Sequence, residues 1–199
     1  MMKAKWCRRD AIYKVRKRLP YRLPVLDEEI RRQRTFHEAE MFRSAKIAGV
    51  SAPYLYFVDP HNATLVMEYI EGARMKDLVG SLSRNEISRL FEQLGEDVAR
   101  LHSAGIMHGD LTTANVVKRG KELVFLDFGL SVHSSRIEDH AVDLRLIKET
   151  IVGAHSEIAQ PALSSLLQGY GRVVGSERAK HVFTQLRNIE RRGRYARVD

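Results

Sequence analysis

The sequence predicts an α+β fold in two small lobes, a strand-rich front over residues 1–70 and a helical back over residues 71–199. Three observations predict it. Strand-like runs at residues 10–16 and 65–72 bracket one long helix-compatible stretch, residues 28–48, which stops at Gly49. Further on, apolar residues recur at helical spacing, first Ile87, Leu90, Phe91, Leu94, Val98 and Leu101, later Val182, Phe183, Leu186 and Ile189. Between them lies a hairpin pattern, apolar Val116-Val117 and Leu123-Val124-Phe125-Leu126 around the turn Lys118-Arg119-Gly120-Lys121.

Each element has a local cause. Residues 1–7 suit one strand, turning at Arg8-Arg9-Asp10 into the strand of residues 10–16. The helical stretch 28–48 carries apolar or small residues at Ile30, Ala39, Phe42, Ala45 and Ala48, with Glu38 in its middle. Residues 65–72 begin as a buried strand and end at Gly72. Ser83 and Glu86 make a capping-box pattern, in which each side chain satisfies the other's free amide at the start of a helix. That helix ends near Ser103-Ala104-Gly105 and delivers the chain to His108-Gly109-Asp110. Only 13 residues separate Gly129 from Asp143, and the 56 residues after Asp143 allow about three helices. One begins at Asp143, one covers residues 161–170, and one is capped by Ser176-Glu177. Gly193 is expected to end the last helix, leaving an arginine-rich tail.

Composition excludes several classes. A chain of 199 residues with 44% hydrophobic and 29% charged residues can bury a core. One cysteine, Cys7, excludes an internal disulfide, and eight scattered histidines give no zinc cluster. No apolar run approaches the ~18 residues of a membrane span, and the start lacks a signal peptide, so a cytoplasmic protein is expected. Charge gathers at the ends. Residues 1–46 hold 14 Lys/Arg against 6 Asp/Glu, and residues 176–199 hold 7 against 3. Arg187, Arg191, Arg192, Arg194 and Arg197 form a cluster of the kind that phosphate backbones attract, although a solvated helix end has the same composition.

The chemistry is concentrated in His108-Gly109-Asp110-Leu111-Thr112-Thr113-Ala114-Asn115 and Asp127-Phe128-Gly129. Asn115 follows Asp110 by five residues, and Asp127 follows Asn115 by twelve. Phosphoryl transfer from ATP needs such a set: a carboxylate near the attacking oxygen, and oxygen ligands that hold Mg²⁺ on the phosphates. Asp110 is the candidate catalytic aspartate, and Asn115 and Asp127 are the candidate metal ligands. A phosphate-holding lysine on a strand needs a carboxylate to orient it, which pairs Lys14 with Glu38. On charge alone, Lys14 reads first as one more solvated cation beside Arg16, Lys17 and Arg18, and it is the downstream motif that favours the phosphate-holding role. Glu68, Tyr69 and Ile70 follow a strand where backbone groups can meet adenine; a plain core strand leading into a loop has much the same sequence.

With those residues in view, the chain resembles the small kinase/ATPase subunit of the KEOPS (EKC) complex, a relative of the RIO kinases. The likeness runs over roughly residues 10–199. It is carried by Tyr21-Arg22-Leu23-Pro24-Val25-Leu26-Asp27, Arg34-Thr35-Phe36-His37-Glu38-Ala39, Met67-Glu68-Tyr69-Ile70-Glu71-Gly72, the two motifs above, Glu138-Asp139-His140-Ala141-Val142-Asp143-Leu144 and the arginine-rich tail. The resemblance implies a reduced bilobal protein-kinase-like fold with a truncated front sheet and a small helical rear lobe. It implies ATP and Mg²⁺ as cofactors, weak protein phosphorylation, and ATP hydrolysis coupled to threonylcarbamoyl-adenosine formation on tRNA. It implies as partners the complex's threonylcarbamoyl-transferase subunit and a further subunit, with tRNA at the basic tail. A kinase normally carries two strands and a glycine-rich loop before its lysine. Here 13 residues precede Lys14 and none is glycine, so the first strand and the phosphate cover are expected to be missing. No Ala-Pro-Glu occurs, which removes the usual platform for a substrate peptide. Two alternatives share these motifs: a small-molecule phosphotransferase of the aminoglycoside or choline type, and a nucleotide-binding scaffold without turnover.

Overall fold

A computed structural model, which describes the backbone of residues 1–195 and the side chains of residues 1–192, gives the front half as a four-stranded antiparallel sheet under one long helix. Strands β1 (Met2–Trp6) and β2 (Arg9–Val15) form a hairpin. The turn falls at Cys7 and Arg8, both left-handed with φ of 47° and 69°, rather than at residues 8–10. Pairing of Trp6 with Arg9 leaves two residues for the turn, and a two-residue turn matches strand twist only with positive φ. Strands β3 (Leu55–Asp59) and β4 (Thr64–Glu68) complete the order β1-β2-β4-β3, with Lys14 opposite Leu65.

Helix α1 (Pro24–Ile47) begins a turn earlier than the composition suggests. Pro24 carries the preset φ of a first helical residue. Asp27 then fastens the preceding loop, with Oδ2 2.7 Å from Arg31 Nε and Oδ1 3.3 Å from the Leu19 amide. The buried face of α1, Met41, Phe42 and Ala45, joins the same core cluster as Leu65 and Met67 of β4.

In the back half, β5 (Ala73–Arg74), β7 (Val116–Arg119) and β8 (Glu122–Phe125) make a small sheet, and β6 (Ile106–Met107) pairs with β9 (Val132–His133). A short α2 (Met75–Leu78) leads to α3 (Arg84–Ser103), which starts at the predicted capping box: the Ser83 amide donates to Glu86 Oε2 at 2.9 Å and the Glu86 amide to Ser83 Oγ at 3.4 Å. Three helices follow, α4 (Ile137–Ala154), α5 (Ala159–Val174) and α6 (Ser176–Tyr195). Among the described residues, no helix is long and apolar enough to cross a membrane.

The expected helix stop at Gly193 does not occur, since α6 continues to Tyr195. A helical glycine costs only about 1 kcal/mol against alanine. Val182 and Leu186 of α6 are buried, Ile189 packs on the core, and Glu190 pairs with Lys148 of α4 at 2.7 Å, so the helix is anchored just ahead of the glycine. Arg187, Arg191 and Arg192 therefore lie on α6 itself rather than in a separate tail. The Arg194 side chain and Arg197 lie outside the described residues.

Helices α3 and α5 meet backbone to backbone at Gly95 and Gly169. A Cβ on Gly95 would overlap the Leu166 carbonyl, and one on Gly169 the Glu92 carbonyl. Gly95→Ala or Gly169→Ala is expected to cost about 2–3 kcal/mol, because rigid backbone must move aside. Urea denaturation checks this; a wild-type midpoint in either variant contradicts the close approach.

Candidate active site

A cleft of about 290 Å³ opens between the sheet and the helical half, lined by Ile12, Met67, Glu68, Tyr69, Ile70, Asn115, Val117, Leu126 and Asp127 among others. Strand alternation places Ile12, Lys14 and Arg16 on one side of β2 and its extension. Lys14 Nζ stands 2.7 Å from Glu38 Oε1 on α1 and 2.8 Å from Asp127 Oδ1. Glu38 is fully buried, and its other oxygen is 2.5 Å from Arg16 Nη2. Arg16 Nη1 also reaches the Thr35 hydroxyl, one turn before Glu38, at 3.3 Å. Burial pushes the Asp127 carboxyl up, but the charge and hydrogen bond of Lys14, with the Gly129 amide at 2.9 Å, outweigh it and hold the carboxyl below its ordinary range.

The catalytic loop is built around Asp110 and Asn115. Asn115 Nδ2 lies 2.9 Å from both the Asp110 carbonyl and Asp110 Oδ2. Both partners accept, so the amide nitrogen faces them and Oδ1 remains free to ligate a cation. The loop is held from below by Asp143 of α4, which is fully buried. Its carboxylate accepts the amides of His108 and, at 2.8 Å, Gly109. Burial raises that carboxyl, and His102 together with the loop amides lowers it further than burial raises it, so the group stays ionised. Gly109, at φ 79°, sits so close to Leu130 that a Cβ would strike its carbonyl. Phe128 is buried between Phe42 of α1 and His108, with ring centroids 5.2 and 5.0 Å away.

The structure brings together Lys14, Glu38 and Asp127, joins Asp110 to Asn115, and lines one cleft with Glu68, Tyr69, Ile70, Asn115 and Asp127. The Glu68 carboxylate is engaged within the protein: it accepts from Arg119 at 2.8 Å and from the Tyr54 amide at 3.1 Å. The Tyr69 amide is taken by the Asp10 carbonyl at 3.3 Å, while among the described residues no hydrogen bond takes up the Ile70 amide. Three residues escaped the sequence reading. Arg16 was legible in principle, because it stands two positions from Lys14 on one strand. Asp143 and His37 were not, since their partners lie far away in sequence; His37 Nε2 is 2.7 Å from the Ser131 carbonyl, which ties α1 to the segment after Asp-Phe-Gly. Among the described residues, no three His, Cys, Asp or Glu converge as a metal cage. Mg²⁺ needs none, since it binds through one or two carboxylates plus substrate phosphates.

The protein kinase domain family matches residues 15–157, a stretch that holds every one of the candidate groups except Lys14. Fold and match together define an atypical kinase/ATPase-type phosphotransferase. The KEOPS complex subunit Bud32 of Pyrococcus abyssi is 39% identical over 184 residues, covering 92% of this chain and 84% of that protein. The chain belongs to this Bud32 family of KEOPS complex subunits. A protein of Methanothermobacter thermautotrophicus, named a probable bifunctional tRNA threonylcarbamoyladenosine biosynthesis protein, is 39% identical over 193 residues. Here 97% of this chain spans only 34% of that relative. The solved structure of the Rio2 kinase-ADP/Mg²⁺-phosphoaspartate complex from Chaetomium thermophilum shares the fold, with a TM-score of 0.60 at 15% identity, over 92% of this chain and 65% of that one.

Arg16→Met should leave a buried carboxylate short of one partner. It is expected to destabilise the protein by about 3 kcal/mol. Unfolding within about 0.5 kcal/mol of wild type, measured by denaturant titration, would contradict the double clamp on Glu38.

Proposed function

We propose that this chain turns over Mg-ATP in the cleft between its lobes, as the kinase/ATPase subunit of a KEOPS-type assembly that supports threonylcarbamoyladenosine formation on tRNA. The observation that carries the reading is the Lys14–Glu38–Asp127 ion cluster beside the Asp110–Asn115 hydrogen bond. The lobes divide near residue 70, where β4 ends at the cleft.

The residues fit a nucleotide. Ile12, Val117 and Leu126 give the cleft an apolar lining that suits a flat heterocycle, and Ile70, whose amide has no hydrogen-bond partner among the described residues, lines the same cleft. Lys14 offers its ammonium to anionic oxygens, and Glu38 with Arg16 behind it fixes its direction. Asn115 Oδ1 and the Asp127 carboxylate are hard oxygen donors suited to Mg²⁺. When bound, Mg-ATP supplies the transferable phosphoryl group and neutralises its charge. Asp110 orients the hydroxyl or water that attacks and can accept its proton, while its Oδ2 holds Asn115 in place.

The assembly reading rests on relatives of the same family, including one in which the matching segment is about a third of a longer bifunctional chain. It implies a threonylcarbamoyl-transferase partner, a further subunit and a cytoplasmic setting. Arg187, Arg191 and Arg192 are exposed on the last turns of α6. Their guanidinium forks suit phosphate, and this basic end is where tRNA would contact the chain.

Asp127→Ala tests the site. ADP release with Mg²⁺ is expected to fall by at least about 100-fold, with the fold retained by circular dichroism and no rescue by tRNA. Turnover within a few-fold of wild type in a folded variant rules out the metal-ligand role. A wild-type chain that binds ATP and never releases ADP, with or without tRNA, would be a scaffold instead.

A further inference from the structure

Arg178 stands in the first turn of α6 and reaches back into the helical lobe. Its Nη2 lies 3.3 Å from Nδ1 of His140 on α4. His140 is fully buried, and its Nε2 is 2.9 Å from the Ser134 carbonyl, in the segment that follows Asp-Phe-Gly. A carbonyl only accepts and a guanidinium only donates. The ring proton is therefore on Nε2, and Nδ1 serves as acceptor. The ring lies flat on His102 of α3, with centroids 4.2 Å apart and planes within 8°. His102 donates from Nε2 to Asp143 at 3.2 Å and accepts the Tyr170 hydroxyl of α5 at Nδ1, 3.0 Å away. Asp143 holds the His108 and Gly109 amides. Four side chains thus link α6 to the catalytic loop.

We propose that Arg178 is a positioning residue that transmits the placement of α6 to the catalytic loop and to the segment after Asp-Phe-Gly, so that whatever engages the basic end of α6 changes turnover at Asp110. The part concerning turnover rests on the function proposed above. His140 can pass the signal because two contacts hold it in one neutral tautomer, one to Arg178 on α6 and one to the Ser134 carbonyl, while its ring stacks on His102. It is faced by His102 from α3, Arg178 from α6 and, in its own helix, Asp143. Burial first, then the neighbouring His102 and Arg178, keep its pKa down to about 4, against the Ser134 carbonyl and Asp143. Without the guanidinium, Nδ1 is free to take a proton. A charged ring stacked on His102 would draw Asp143 away from the loop amides.

The experiment uses the full chain carrying Arg178→Met, with Mg-dependent ATP turnover followed from pH 5 to 8. The kcat is expected to fall by about tenfold while KM for ATP moves less than about twofold, as for a group that acts only through the reacting geometry. An acid limb should appear in the kcat profile that wild type lacks, and methylguanidinium should restore part of the rate. His140→Asn, which leaves Arg178 in place, is measured beside it in case the first variant fails to fold; its kcat should fall without the new acid limb. The amide shifts of His108 and Gly109 are read by NMR in the same samples and should move in both variants. Unmoved loop amides, or a wild-type kcat with a flat profile, overturn the coupling. Moved amides in a chain that hydrolyses no ATP retain the coupling and count against the reading of the site.

Discussion

The helical lobe depends on the buried carboxylate of Asp143. A carboxylate removed from water must be paired or hydrogen-bonded, or it neutralises. Asp143 solves this with backbone amides from the catalytic loop and a histidine from α3, so the energetic demand of one buried charge becomes a positional constraint on His108 and Gly109. Asp110 follows at the next position in the chain. The placement of the Asp110 carboxylate is therefore set from inside the protein, which suits the proposed chemistry, one that relies on positioning more than on covalent participation.

A second buried carboxylate, Glu38, does the same for the front lobe. Arg16 and Lys14 share it, and Lys14 extends the network to Asp127 across the cleft. On the opposite side of the cleft, Arg119 of β7 bonds Glu68 at the end of β4, and the Phe125 amide reaches the Ser51 carbonyl at 2.9 Å. The lobes are thus joined by ions on the catalytic side and by a salt bridge plus a backbone bond behind. Lys14 is shared between Glu38 and Asp127 at the cleft, a position that suits the proposed exchange of one carboxylate for a phosphate.

The long helices and the hairpin were legible because their causes are local. The Ser83–Glu86 box, the 3.6-residue spacing of α3 and the apolar face of α6 are each contained in a short window. The Asp110–Asn115 and Lys14–Glu38 pairs were legible because phosphoryl transfer restricts which residue types can stand at those spacings. What the sequence hid is long-range or conformational. Asp143 looked like the start of a helix, yet it sits in the second turn of α4 and serves a loop 34 residues upstream. The Cys7-Arg8 turn carries no glycine or asparagine to announce its positive φ. Gly193 looked like a stop, but packing of Ile189 and the Lys148–Glu190 pair just before it favour continuing the helix.

In the proposed function Asp110 acts on the reacting oxygen while other groups hold the nucleotide. Its most direct test is single-turnover ATP hydrolysis and ATP binding in Asp110→Asn, a change that keeps shape and removes only the proton-accepting charge. ATP affinity is expected to stay within about threefold of wild type, with the chemical step slowed by at least about 100-fold. A variant that hydrolyses ATP at the wild-type rate, with affinity unchanged, would contradict it and would move the catalytic role to another group in the cleft.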